Sequence, residues 1–189
     1  MIKKAVSLIE ELNYSNVLVG GSVGAGKTTF LCEMIDNIIG KYEKNEAKII
    51  LIDPKMTAFF EYKNEMSARG GLIITDSKEA IDTILNIENA KDEKLFVIVD
   101  EYAELSYFAE NQNKKTELEN KLGWLSTKEN VHLIIATQCA SSPDVINDKL
   151  KSFFPIKISF RLPEKEDSVA FLGKSGAESL KRGEMIIAQ

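Results

Sequence analysis

Arginine is scarce in this chain: among 189 residues only Arg69, Arg161 and Arg182 carry a guanidinium. Any task that needs a planar, permanently charged donor fork therefore has three candidates. The chain has two cysteines, Cys32 and Cys139, and one histidine, His132. So few, so widely spaced, they suit neither a Cys/His metal centre nor a disulfide framework, and both thiols read as ordinary side chains. Long apolar runs are missing too. Leu95–Val99 and Leu133–Ala136 are among the longest, far short of the roughly 20 residues that cross a bilayer. Met1-Ile2-Lys3-Lys4 leads into an amphipathic stretch rather than an apolar signal core, so a cytoplasmic setting is expected, with any membrane recruitment left to partner proteins. Nor is there an excess of positive charge: 24 Lys plus Arg against 29 Asp plus Glu leave a net charge of −5. That balance excludes coating nucleic acid by bulk charge but permits local basic patches.

What is present is an ordinary soluble composition, 44% hydrophobic and 28% charged, without repeats or low-complexity tracts. Apolar segments of two kinds alternate. Val6, Leu8, Ile9 and Leu12 suggest an N-terminal helix. Strands are expected at 16–20, 48–53, 71–75, 95–100, 131–137, 156–162 and 185–188. Helical spacing marks 28–39, with Gly40 as its C-cap, 77–89, opening on a capping Ser77, and 116–126. Residues 110–115 and 139–143 read as exposed loops. Strands apolar on both faces, alternating with helices, predict an α/β domain with a largely parallel sheet covered by helices, one domain over residues 1–189.

Gly21-Ser22-Val23-Gly24-Ala25-Gly26-Lys27-Thr28 matches the phosphate-loop pattern at each fixed position, between an expected strand and an expected helix. Glycines let the backbone turn tightly and approach an anion, and the following helix adds the positive end of its dipole. Residues 21–28, with Thr29, are the expected ATP contacts; Lys27 would face the β- and γ-phosphates, and the Thr28 hydroxyl would ligate Mg²⁺. Leu95-Phe96-Val97-Ile98-Val99-Asp100-Glu101 supplies the complementary half. Asp100 would hold Mg²⁺ through water, and Glu101 would orient and deprotonate the attacking water. The adjacent glutamate and the missing guanine-reading motif argue against a GTPase switch. Strand 131–137 leads into Gln138, placed to sense the γ-phosphate, or else a polar strand end with no role.

Further segments fall in a recognisable order. Ile52-Asp53-Pro54-Lys55 follows one strand and Thr75-Asp76-Ser77 another. His132-Leu133-Ile134-Ile135-Ala136-Thr137-Gln138 precedes Phe154–Arg161, Asp167-Ser168, Gly176-Ala177-Glu178 and Arg182-Gly183-Glu184-Met185. In this order they resemble the motor domain of the FtsK/SpoIIIE (HerA/FtsK-type) DNA translocases, from about Asn16 to Ile186. The resemblance implies a RecA-like fold, a homo-oligomeric ring that is a hexamer, double-stranded DNA through its centre, and Mg-ATP between subunits. It also implies an arginine acting on the neighbour's ATP, a finger worth about 10³–10⁵ in rate. Arg161 aligns with the family's Phe-Arg and is the first candidate, Arg182 the second; a surface or intrachain ion pair is the alternative for each.

The sequence departs from the family where Cys139-Ala140 replaces Arg-Pro, Val169 replaces an arginine after Asp-Ser, and Lys157 stands where arginine is common. Candidate DNA contacts are Lys114, Lys115, Lys149 and Lys151, on loops where lysine is otherwise simply solvated. Related readings are a viral genome-packaging or conjugation-coupling ATPase, a secretion-type ATPase that moves protein, and a module that binds ATP without turnover. The intact Glu101 opposes the last.

Overall fold

A parallel strand is covered on both faces and must be apolar at consecutive positions. The computed structural model describes residues 1–88 and 93–189 and turns those apolar segments into strands: β1 (Val17–Gly20), β2 (Ala47–Ile52), β3 (Leu72–Ile74), β4 (Lys94–Val99), β5 (Val131–Thr137), β6 (Ile156–Ser159) and β7 (Ile186–Ala188). Among the described residues they form one sheet in the order β3-β2-β4-β5-β1-β6-β7. Neighbours are parallel except β6 and β7.

The helices are α1 (Ile2–Glu11), α2 (Lys27–Lys41), α3 (Lys63–Arg69), α4 (Ser77–Leu85), α5 (Tyr102–Asn111), α6 (Lys115–Ser126), α7 (Asp148–Ser152) and α8 (Lys165–Leu172). They divide between the two faces because successive strand side chains point in opposite directions. Leu18, Ile50, Ile52, Val97, Val99, Leu133 and Ile135 share one core with buried residues of α4, α5 and α6. The intervening Val17, Val19, Ile49, Leu51, Phe96, Ile98, Ile134 and Ala136 share the other with α1, α2 and Met66 of α3. Burying a leucine- or isoleucine-sized side chain contributes about 1.5–3 kcal/mol, so both faces of the sheet are strongly held.

β5 lies between β1 and β4. Its register sets Gly20 beside Thr137, and Val99 beside Ile135. The carboxyl ends of β1, β5 and β4 therefore emerge side by side, bringing residues 21–28, 138 and 100–101 together across the sheet rim.

Several expected boundaries move. Gly40 is not a C-cap: α2 continues to Lys41 and stops when Tyr42 adopts extended backbone at φ −111° and ψ 134°. The cap of α4 is Asp76, whose carboxylate accepts from the Glu79 amide at 2.8 Å, rather than Ser77. The helix expected over 77–89 ends at Leu85, and Asn89 lies outside the described residues. The expected loop at 110–115 is shorter, since α5 includes Glu110 and Asn111 while α6 begins at Lys115. β6 ends at Ser159, not 162.

Candidate nucleotide site

Residues 21–26 join β1 to α2 and require glycine for two separate reasons. Gly24 has φ 69°, the left-handed region that a side chain disfavours. At Gly21 an added Cβ would lie 2.8 Å from Cβ of Phe160, so the loop packs on the end of β6 with no space for one. Two backbone bonds fix it there. The Ser22 amide donates to the Arg161 carbonyl at 2.8 Å, and the Gly183 amide donates to the Ala25 carbonyl at 2.9 Å.

Lys27 opens α2 and is 7% exposed. Its ammonium donates to the carbonyls of Gly21 (2.6 Å) and Ser22 (3.1 Å). Burial lowers its pKa, while the Glu101 and Asp100 carboxylates work in the opposite direction. At the next residue of α2, Thr28 Oγ1 donates to Asp100 Oδ1 at 3.1 Å. Burial, with Asp53 nearby, holds the Asp100 carboxyl above its ordinary range, against the Thr28 bond and the charge of Lys27. A hydroxyl and a carboxylate oxygen facing one another are hard donors of the kind Mg²⁺ takes together with water and phosphate.

Glu101 is 2% exposed, and both its oxygens are engaged. Oε1 accepts from Thr137 Oγ1 at 2.8 Å and from the Gln138 amide at 3.0 Å. Oε2 lies 3.5 Å from the Lys55 ammonium. The strand order explains the bonds to Oε1: with β5 beside β4, the last residue of β5 reaches the carboxylate that follows β4. Val23, Gly24, Gly26, Lys27, Thr28, Thr29, Lys55, Thr57, Asp100, Gln138 and Arg182 line a cavity of about 270 Å³. Larger grooves exist, one of about 710 Å³ bordered by β2 and α4, but they gather none of this chemistry. Gly21, Ser22 and Ala25 sit behind the cavity and act through backbone contacts.

The FtsK/SpoIIIE family profile matches residues 2–93. The chain is 30% identical over 93% of its length to the DNA translocase FtsK of Borreliella burgdorferi, and 30% identical over 95% to the DNA translocase SpoIIIE of Bacillus subtilis. These matches place the chain in the FtsK/SpoIIIE family. It spans about a quarter of the length of those relatives, 26% and 27% respectively. A solved structure of the pCW3 conjugation coupling protein TcpA, determined with ATPγS, superposes with a TM-score of 0.74 at 21% identity, over 94% of this chain and 58% of that one. The fold is thus the mostly parallel, RecA-like P-loop architecture that the family resemblance implies.

Within that family frame the two candidate arginines separate. Arg161 is exposed and its side chain does not line the cavity; its carbonyl braces the phosphate loop. Arg182 lines the cavity of its own chain, because the turn around Gly183 is bonded to the loop at Ala25. The four candidate lysines are not all on loops, since Lys115 opens α6 and Lys149 and Lys151 lie in α7, and each has an acceptor within the chain. Lys114 pairs with Asp82 at 3.0 Å, and Lys115 with Glu110 at 3.0 Å. Lys149 donates to Asn120, and Lys151 to Asp148 and the Ala170 carbonyl. Sequence reading gave no role to Thr137 or Lys55, although both lie in segments that carry the resemblance. Among the described residues, no helix is long and apolar enough to cross a membrane.

Proposed function

We propose that this chain is the ATP-hydrolysing motor unit of a ring-forming double-stranded DNA translocase. The observation that carries the reading is the convergence on one sheet rim of Lys27, the Thr28–Asp100 pair and the buried Glu101, in a chain whose relatives include proteins named DNA translocases.

In this reading the loop amides and Lys27 bind the triphosphate and oppose its charge. Thr28 and Asp100 would hold Mg²⁺, which would supply further charge neutralisation on the phosphates. Glu101 takes a proton from the attacking water as the new oxygen–phosphorus bond forms and the bond to the β-phosphate oxygen breaks. The products are ADP and inorganic phosphate, and the electron pair of the broken bond leaves with ADP. Gln138, beside Glu101 at the end of β5, senses whether the γ-phosphate is present.

The cavity of about 270 Å³ lies at the lower edge of the roughly 300–1,000 Å³ range of ligand sites, and in this reading one chain supplies only part of the nucleotide envelope. A neighbouring subunit, through Arg161, completes it. Duplex DNA passes through the ring and meets Lys114, Lys115, Lys149 and Lys151, which exchange their acceptors within the chain for backbone phosphates.

The test is ATP turnover with and without duplex DNA. Turnover should rise severalfold with DNA, and the stimulation should fade steeply as salt increases, because grip on the backbone depends on counterion release. Lys27→Ala, which removes a charged donor worth about 1.5–3 kcal/mol, should lose tight ATP binding in titration calorimetry. Turnover indifferent to DNA would favour the secretion-type reading, and unchanged ATP affinity in the variant would sink the phosphate-loop assignment.

A further inference from the structure

Lys55 stands where β2 has ended, in a turn that is stapled from within. The buried Asp53 carboxylate accepts from the backbone amides of Thr57 at 3.2 Å, Ala58 at 2.8 Å and Phe59 at 3.2 Å. Pro54 removes a further degree of backbone freedom. The turn therefore aims the Lys55 side chain from β2 across to the end of β4. Its ammonium lies 3.5 Å from Glu101 Oε2 and 3.4 Å from Glu104 Oε1, the latter in the first turn of α5. Burial disfavours the Lys55 charge, but the two carboxylates outweigh it and keep its pKa above the ordinary lysine value. The side chain is still 37% exposed, and it lines the same cavity as Lys27.

Glu101 is thus restrained from two sides, by β5 at Oε1 and by Lys55 at Oε2. Hydrogen bonds to the charged form of a carboxylate make it a poorer proton acceptor. The bonds from Thr137 and the Gln138 amide come from the rigid end of a fully buried strand, whereas the lysine is a point charge on a flexible stem. Of the three donors, Lys55 is the one able to move. It borders the cavity where a γ-phosphate would bring about two negative charges against the single charge of Glu101.

We infer that Lys55 is a positioning residue that exchanges partners: it restrains Glu101, and it passes to the γ-phosphate when a triphosphate enters, so that ATP and not ADP frees the general base. The inference rests on the ATPase reading above. It adds a discriminator of tri- from diphosphate that acts within one chain, beside Gln138 and independent of any arginine from a neighbour.

The consequence is thermodynamic and can be read without turnover. Wild type, Lys55→Met, Glu101→Gln and the double variant are titrated calorimetrically with Mg²⁺ plus a β,γ-imido ATP analogue, and separately with Mg²⁺ plus ADP. Lys55→Met should weaken the triphosphate about tenfold or more, the scale of one lost charged hydrogen bond, and change ADP by less than about twofold. Glu101→Gln should tighten the triphosphate, since the lysine no longer has to leave a carboxylate. The double variant should lose that tightening, and Lys55→Arg should retain much of the wild-type preference. In turnover, Lys55→Met should lower kcat as well as raise KM. Equal loss of both nucleotides in a normally folded Lys55→Met, no loss of either, or tightening in Glu101→Gln that persists without Lys55 would each overturn the exchange. If the wild type binds neither nucleotide, the ATPase reading itself falls, which is a different result.

Discussion

His132 illustrates how a single side chain can be visible in sequence for one reason and matter for another. It opens the His-Leu-Ile-Ile-Ala-Thr-Gln strand that marks the family resemblance, yet it sits at the opposite end of β5 from the nucleotide cavity. It is 3% exposed, stacked on Phe96 with ring centroids 4.7 Å apart. Nδ1 lies 3.0 Å from the Tyr14 carbonyl, which can only accept, so this nitrogen carries the proton. Nε2 faces the Lys94 ammonium at 3.4 Å and accepts from it. Burial and the Lys94 charge outweigh the Tyr14 bond and push the pKa down to about 4. The unfolded chain, with an ordinary histidine near 6.5, therefore binds a proton between pH 6.5 and 4 that the folded chain refuses. Stability should fall as pH drops through that window, by about 3 kcal/mol from this residue, and its share should level off below pH 4. Urea midpoints of wild type and His132→Gln across the window provide the check, because the carboxylates common to both proteins cancel. Parallel pH profiles would show that His132 does not titrate as its surroundings dictate.

At the scale of elements, the turn after β2 ties stability to chemistry. Asp53→Ala leaves three amides near residues 57–59 without their acceptor, two of these bonds being fully buried, and should cost about 2–3 kcal/mol. Asp53→Asn, which keeps an acceptor oxygen, should cost less. Turnover should drop in the alanine variant beyond what unfolding explains, because the same turn aims Lys55 at Glu101. Denaturant curves and kcat at a temperature where both proteins are folded decide it; an alanine variant as stable and as fast as wild type would remove Asp53 from the account. The turn also shows where sequence reading stops. Ile-Asp-Pro-Lys is conspicuous as a string, but the meeting of Asp53 with amides up to Phe59 depends on a three-dimensional reversal that no periodicity announces. Strands were easier. β4 and β5 carry the apolar runs Leu95–Val99 and Leu133–Ala136 because both their faces are covered, and β5 is found at the expected bounds. The helices α3, α5, α7 and α8 went unread. α7 is five residues long, and in α5 the buried Tyr102 and Leu105 are interleaved with buried Ala103, Ser106 and Ala109, which are too small or too polar to extend an apolar stripe.

At the scale of the whole molecule, the cavity sits at the rim of the sheet, and the proposed ring has a neighbouring chain complete the nucleotide envelope. Sequence distance hid one contributor: Arg182 lies far along the chain from the phosphate loop and yet borders it, because β7 returns antiparallel to β6 and the preceding turn is bonded to Ala25. Arg161 is exposed and outside its own cavity, and in the proposed ring it is the guanidinium that serves a neighbour. The two arginines then make opposite expectations in mixing experiments. Arg161→Ala and Lys27→Ala subunits should each be inactive alone. When they are mixed in equal amounts, about a quarter of the interfaces in a cyclic assembly pair an intact phosphate loop with an intact Arg161 from the next subunit, and turnover should reappear on that scale. Arg182→Ala mixed with Lys27→Ala should restore nothing, because each interface still lacks either the lysine or the arginine of one and the same cavity. Turnover per subunit of the wild type should also climb steeply with protein concentration, since a lone chain has no neighbour to supply Arg161. Recovery with Arg182→Ala in place of Arg161→Ala would reverse the two assignments. Turnover independent of concentration would remove the shared site, and with it the need for a ring in hydrolysis.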